Sequence, residues 1–152
     1  MRQQNRKHLD EWIMLWRSFE LFYYRFLRKY DLSLNSFQIM TLLMRNPEGI
    51  EPSLIAEKLG ILRQALAPLL NALEKRCFIT RRERNDDHRR KRIVITPEGS
   101  AFVQEVEKEM STLELKAFSS MPDEELDRMF ESMSRFLKSL SVLNEDLSPE
   151  AL

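Results

Sequence analysis

Seven of the twelve residues from Arg81 to Arg92 are arginine or lysine, with Phe78-Ile79 before them and Ile93-Val94-Ile95 after. Such a stretch cannot enter a core, because a buried charge without a partner loses its hydration for nothing. The flanks predict two strands, 78–84 and 90–95, and Asn85-Asp86-Asp87-His88 between them is turn-prone, which makes a hairpin. A lone two-stranded ribbon is marginal in water. This one needs something to bind, and its charge asks for a polyanion. It reads as a wing.

The rest of the chain reads as helix. Ser36 is the expected N-cap of a short apolar helix through Phe37 to Met44, and Asn46-Pro47-Glu48-Gly49 then breaks the chain. Pro52 opens a helix that runs to Leu59 and stops at Gly60. A further helix is predicted from Arg63 to Lys75, with Leu66, Leu69, Leu70 and Leu73 facing inward. Two short helices joined around Gly60 make a helix-turn-helix. Beyond the ribbon, Thr96-Pro97-Glu98 predicts a capped start for a helix to about Ser119, burying Phe102, Val103, Val106, Met110, Leu113 and Phe118. Met121-Pro122 interrupts it. Asp123, Glu124 and Glu125 then suit the positive end of a last helix. Its stripe is Leu126, Met129, Phe130, Met133, Phe136, Leu137, Leu140 and Leu143, and the end from Glu145 is expected to fray.

The N-terminal segment repeats Trp12, Leu15, Phe19, Phe22, Phe26 and Tyr30 at intervals of three and four, with Trp16 and Tyr23 alongside. A small domain core rarely absorbs so many rings from one helix. The helix either wraps a neighbouring element or buries itself in a partner subunit, and the second reading is favoured.

Composition narrows the function. The chain has 152 residues, 43% hydrophobic and 32% charged, enough for one core and against general disorder. Three glycines suit a mostly helical protein and not a glycine-rich phosphate loop. No apolar run approaches a membrane span, and the first residues lack the apolar centre of a secretory signal. A lone Cys77 fits a reducing, cytoplasmic setting. The formal net charge of zero hides a segregation: +2 over residues 1–62, +6 over 63–92 and −8 over 93–152. His8 and His88 are far apart in sequence, and no clustered ligand spacing or nucleophile–base pair appears. No cofactor is expected, and an enzyme is a poor hypothesis.

The order of these elements resembles the MarR family of winged-helix transcription regulators. Leu34-Asn35-Ser36-Phe37-Gln38-Ile39 resembles the opening of the family's second helix. Leu54-Ile55-Ala56-Glu57-Lys58-Leu59-Gly60 is similar to its LAexLG helix, and Leu73-Glu74-Lys75-Arg76 to the end of its recognition helix. Asp87-His88-Arg89 matches the D-x-R of the wing, and Ile95-Thr96-Pro97-Glu98-Gly99 the segment that closes it. The resemblance implies a mainly α fold with a small β-hairpin wing: a winged helix-turn-helix over 34–99 between dimerisation helices over 1–33 and 100–152. It implies a homodimer on double-stranded DNA at a pseudo-palindromic operator, with Trp12, Phe19, Phe22, Phe26, Leu126, Phe130, Phe136 and Leu140 at the dimer interface. It also implies a repressor released by a small-molecule effector, for which Trp16, Phe19 and Tyr23 are the pocket expected by position. Such a ligand would change the spacing of two recognition helices that meet half-sites about 34 Å apart.

By matching position, the resemblance places Arg63, Gln64 and Ala67 at bases in the major groove. It places Arg89 in a minor groove, with Asp87 orienting arginines at the wing base. Arginine pairs with guanine and glutamine with adenine. Arg81, Arg82, Arg84, Arg90, Lys91 and Arg92 are expected at phosphates, setting affinity more than sequence choice. Side chains alternate along a strand, so about half of these cations can reach DNA together.

Three positions depart from the family pattern. Leu62 cannot cap a helix, Pro68 interrupts the recognition helix, and Cys77 stands where glycine suits a left-handed turn. They move specificity onto Arg63, Gln64 and the wing. Two other readings follow from the same departures: a winged-helix module that binds another protein, and a regulator switched by oxidation of Cys77.

Overall fold

The computed structural model describes residues 2–84 and 87–143, with side chains over 4–82 and 91–142. Six helices and one hairpin follow each other as α1 (Arg2–Arg28), α2 (Leu34–Met44), α3 (Pro52–Leu59), α4 (Arg63–Lys75), β1 (Ile79–Arg84), β2 (Asp87–Ile95), α5 (Pro97–Phe118) and α6 (Asp123–Leu143). Two compact units result, Met1–Val106 and Glu107–Leu152, and α5 carries the boundary.

Within the first unit, three helices end in the same way. After α1, Leu32 N–H reaches back to the Leu27 carbonyl at 3.1 Å and Asp31 takes φ 52°. After α3, Ile61 bonds Ala56 at 2.9 Å over Gly60 at φ 61°, and after α4, Phe78 bonds Leu73 at 3.1 Å over Cys77 at φ 59°. A left-handed residue lets the next N–H close on the carbonyl five residues back, which satisfies an end the helix would leave bare. Gly60 takes that conformation at no steric cost; Asp31 and Cys77 do not. The left-handed position expected at Cys77 is therefore present.

The cap of α2 differs from the sequence expectation. Ser33, not Ser36, stands ahead of the first turn, and its Oγ accepts from the Ser36 N–H at 3.0 Å. Ser36 is buried three positions into the helix, its own Oγ 2.8 Å from that of Ser33. Both serines suit the role, and the apolar run after Ser36 favoured the wrong one. For α5 the expectation holds: Thr96 Oγ1 accepts from the Gly99 N–H at 3.0 Å and Pro97 fills the first helical position. A Cβ on Gly99 would lie 2.1 Å from the Phe78 carbonyl oxygen, so only glycine lets α5 start against the base of the hairpin.

Leu27, Ile39, Met40, Leu43, Ile55, Leu66, Leu70 and Leu73 from the four N-terminal helices are buried with Ile79, Ile93, Val103 and Val106. Leu69, expected inward with its neighbours on α4, is half-buried. Phe78 stacks on Phe102 with centroids 4.5 Å apart. The Arg76 guanidinium lies over both rings, at 4.6 and 5.4 Å, and donates to the backbone carbonyls of Tyr30 and Asp31. One side chain thus ties the end of α1 to the end of α4 and the root of the hairpin.

The second unit is the remainder of α5 and the whole of α6, with Phe118 edge-on to Phe130 at 5.8 Å. Leu113 and Phe118, expected to be buried, are exposed at 37% and 38%. Phe130, Met133, Phe136 and Leu140 of α6 are exposed as well.

Candidate nucleic-acid interface

The hairpin is longer than its apolar flanks suggested. Strand β2 begins at Asp87, not Arg90, and pairs antiparallel with β1 from Ile79↔Ile95 to Arg84↔Asp87, with an irregularity between Glu83 and Arg84. A run of charge does not disqualify a ribbon whose faces are open to water. Asn85 and Asp86, read as the turn, lie outside the described residues, as do the side chains of Arg84, Asp87, Arg89 and Arg90.

Register decides which cations share a face. Arg81 stands opposite Ile93, and Arg82 opposite Arg92, one residue along and therefore on the other face. Arg81 turns toward α4: it pairs with Glu74 at 3.3 Å and donates to Asn71 Oδ1. Arg92 turns toward the loop before α3, donating to the Glu48 carbonyl at 3.3 Å, and its Nε is buried without a partner. Arg92 thus has a structural role beside the phosphate role expected of it. Arg82 and Lys91 are exposed. The hairpin is anchored at a third point, because Ile50 exchanges both backbone bonds with Ile93, at 3.0 and 2.8 Å.

Helix α4 begins without a side-chain cap, since Leu62 occupies that position and is 78% exposed. A hydroxyl or carboxamide there stabilises a helix by about 1 kcal/mol. The helix runs through Pro68 unbroken to Lys75. Proline has no N–H to give the Gln64 carbonyl, and inside a helix it costs ~3 kcal/mol. Leu66, Leu70 and Leu73 point to the core, which leaves Arg63, Gln64, Ala65, Ala67 and Pro68 exposed on the outer side.

Arg63 and Ala67 from α4, Arg81 and Lys91 from the hairpin, and Glu51, Pro52 and Ser53 from the start of α3 line one cleft of about 520 Å³. Leu66, Leu70 and Ile93 form its apolar floor. The structure therefore brings four of the expected DNA-contacting residues to one depression. Its three cations meet two carboxylates, Glu51 in the lining and Glu74 paired with Arg81, which leaves a net positive charge. Gln64 stands beside it on the same exposed side of α4.

The residues expected at a dimer interface fall in different settings. Phe26 is covered within its own chain, 3% exposed and 5.5 Å from Tyr30. Phe19 and Phe22 are open to solvent, as are Phe130, Phe136 and Leu140, while Trp12 and Leu126 are half-buried. Of the expected effector pocket, Trp16 and Phe19 are more than half exposed and Tyr23 is half-buried. Trp16 Nε1 donates to Glu20 at 2.9 Å. Cys77 is exposed, and the Thr96 hydroxyl donates to its carbonyl at 2.7 Å. Arg76 and Arg92 carry structural roles that sequence reasoning missed. Only the paired register and the turn at the end of α1 reveal their roles.

Among the described residues, no group of three or more His, Cys, Asp or Glu is placed to hold a metal, and no helix is long and apolar enough to cross a membrane.

A helix-turn-helix whose second helix shares a cationic cleft with a basic hairpin is a winged helix-turn-helix. The MarR family model matches residues 32–91, which is this unit. The HTH-type transcriptional regulator PapX of Escherichia coli is 28% identical over 113 residues, which span 74% of this chain and 68% of PapX. The transcriptional repressor MprA of Escherichia coli K12 is 27% identical over 108 residues, 71% of this chain and 61% of MprA. Streptococcus pneumoniae FabT, solved in complex with DNA, superposes with a TM-score of 0.77 over 91% of this chain and 99% of FabT, at 18% identity. That last likeness speaks for the fold. Over residues 32–91 the chain matches the MarR family, and the two curated relatives it resembles are transcriptional regulators.

Proposed function

We propose that two copies of this chain bind one stretch of duplex DNA and repress transcription from it. The carrying observation is the single cleft shared by Arg63 and Ala67 of the recognition helix and Arg81 and Lys91 of the wing. A helix fits the major groove while cations on both sides meet the phosphate rows. Arg63 and Gln64 lie in the first turn of α4, where the helix end can approach base edges, and the positive end of the helix dipole favours phosphate there.

Two copies are inferred because apolar side chains on α1 and α6 stand open to water in one: Leu15, Phe19 and Phe22 on the first, Phe130, Phe136 and Leu140 on the second. An exposed apolar stripe of that kind on a helix marks an interaction site. Pairing two copies sets a fixed distance between two α4 helices. An effector seated near Trp16, Phe19 and Tyr23 would act by altering that distance. Arg89 and Arg90 of β2 would meet the flanking DNA in this reading; Asp87, expected at the wing base, pairs with Arg84 at the tip of the hairpin instead.

The test is binding to duplex DNA across a salt series. Each phosphate contact contributes a slope of about −0.9 in log affinity against log salt. A slope steeper than about −4 for the wild type, falling by about one for Lys91→Ala and by less for Arg81→Ala, whose guanidinium also pairs with Glu74, is the expected outcome. A flat response would favour the protein-binding reading of the winged module.

A further inference from the structure

Three features of α4 lack a packing explanation: an exposed leucine where a cap belongs, a proline inside the helix, and alanines at the positions beside it. The alanines and the proline sit on the outer side, and the leucine stands exposed at the helix start. Leu62 is 78% exposed, and Ala65, Ala67 and Pro68 are exposed too. Gln64, Ala67 and Pro68 are three and four residues apart, so they form one contiguous patch. Asn71, one turn further on, is held by Arg81, which also pairs with Glu74. Past Gln64, then, the outer side of the recognition helix presents apolar Ala67 and Pro68 before Asn71.

That surface is flanked by Arg63, Arg81 and Lys91, so a polyanion is its fitting partner. Of the base edges in the major groove, only thymine carries an apolar group, its 5-methyl. Proline and alanine lose no side-chain freedom on contact, which makes them inexpensive readers of a methyl group. We propose that Leu62, Ala67 and Pro68 read thymine methyl groups, so that this regulator selects A·T pairs beside the base met by Gln64. The proposal rests on the DNA-binding reading above and deepens it.

The test uses the full chain and a duplex recovered from a random library by repeated selection. Each thymine of that duplex is then replaced singly by deoxyuridine, which removes the methyl group and leaves base pairing intact. Burial of one methyl group is worth about a fourfold change in affinity. One or two thymines in each half-site should therefore lose binding by roughly 3- to 10-fold on replacement. In Pro68→Ser and Leu62→Ser the thymine and deoxyuridine duplexes should bind alike at the matching positions, with the salt slope unchanged. Serine at 68 restores a helix N–H, so this variant keeps the fold, and a far-ultraviolet dichroism spectrum verifies it. Equal binding of thymine and deoxyuridine duplexes by the wild type would overturn this proposal while leaving DNA binding intact. Failure to enrich any duplex would overturn both and point to a protein partner for the same surface.

Discussion

The winged region and the long terminal helices carry apolar stripes of similar quality, yet only the first closes its stripes within one copy. Ile39, Met40 and Leu43 of α2, Leu66, Leu70 and Leu73 of α4, and Ile93 of the hairpin are all buried. On α1 the burial begins only at Phe26 and Leu27; Phe19 and Phe22, on the same face, stay open. Along α6, Phe130, Met133, Phe136 and Leu140 stay open throughout. Periodicity reports that a face is apolar. It does not report whose atoms cover it.

The largest effects should separate the two regions. Ile39→Ala leaves a cavity in a closed core and should cost about 2–5 kcal/mol of folding stability, read from the urea midpoint. Phe19→Asp combined with Phe136→Asp should instead raise the dimer dissociation constant by at least about 100-fold in sedimentation equilibrium, with helical content kept. An unchanged dissociation constant would assign the open faces to another partner. Next in size is Arg76→Ala, which removes two donors from the Tyr30 and Asp31 carbonyls and a cation from the Phe78–Phe102 pair. It should lower stability by about 1–3 kcal/mol in thermal unfolding. Because α1 is otherwise exposed, the loss should appear as earlier hydrogen exchange at the end of that helix.

Smaller effects probe the wing against the helix. Arg82→Ala should weaken DNA binding less than Lys91→Ala and leave stability nearly unchanged, since Arg82 is exposed on the hairpin face opposite the cleft. Arg92→Ala should do the reverse and lower stability by roughly 1 kcal/mol, because Arg92 serves the Glu48 carbonyl. The smallest effect is expected at the turn after α4. Cys77 holds φ 59°, a conformation costing a side-chain residue about 1–2 kcal/mol. Cys77→Gly should therefore stabilise the chain by roughly 0.5–1 kcal/mol, after the greater freedom of glycine in the unfolded state is deducted. A loss of stability in this variant would mean that the thiol makes contacts outweighing its backbone strain.

Much of the fold was legible because its punctuation is chemical. Pro52, Gly60, Thr96 and Pro122 set the limits of α3, α5 and α6 by what their rings, hydroxyl and missing Cβ allow, and these limits agree with the structure. The left-handed turn at Cys77 was legible only through the resemblance, which has glycine at that position. What was hidden depends on partners distant in sequence. The choice between Ser33 and Ser36 needed the path of the chain after α1. The roles of Arg76 and Arg92 needed the carbonyls of Tyr30, Asp31 and Glu48, which lie 44 to 46 residues earlier. In the site, residue type suggested that Arg63, Arg81 and Lys91 meet a polyanion, and only the register of the hairpin set them around one cleft. A census of charge counts cations without knowing which way they turn.

The most direct measurement is the pattern of sequence recovered by selection from a random duplex library at near-physiological salt. Paired winged units require an inverted repeat whose half-site centres lie about 34 Å, one DNA turn, apart. Recovery of such a repeat, bound by two chains per duplex, is the predicted result. A single unrepeated site bound by one chain would contradict it.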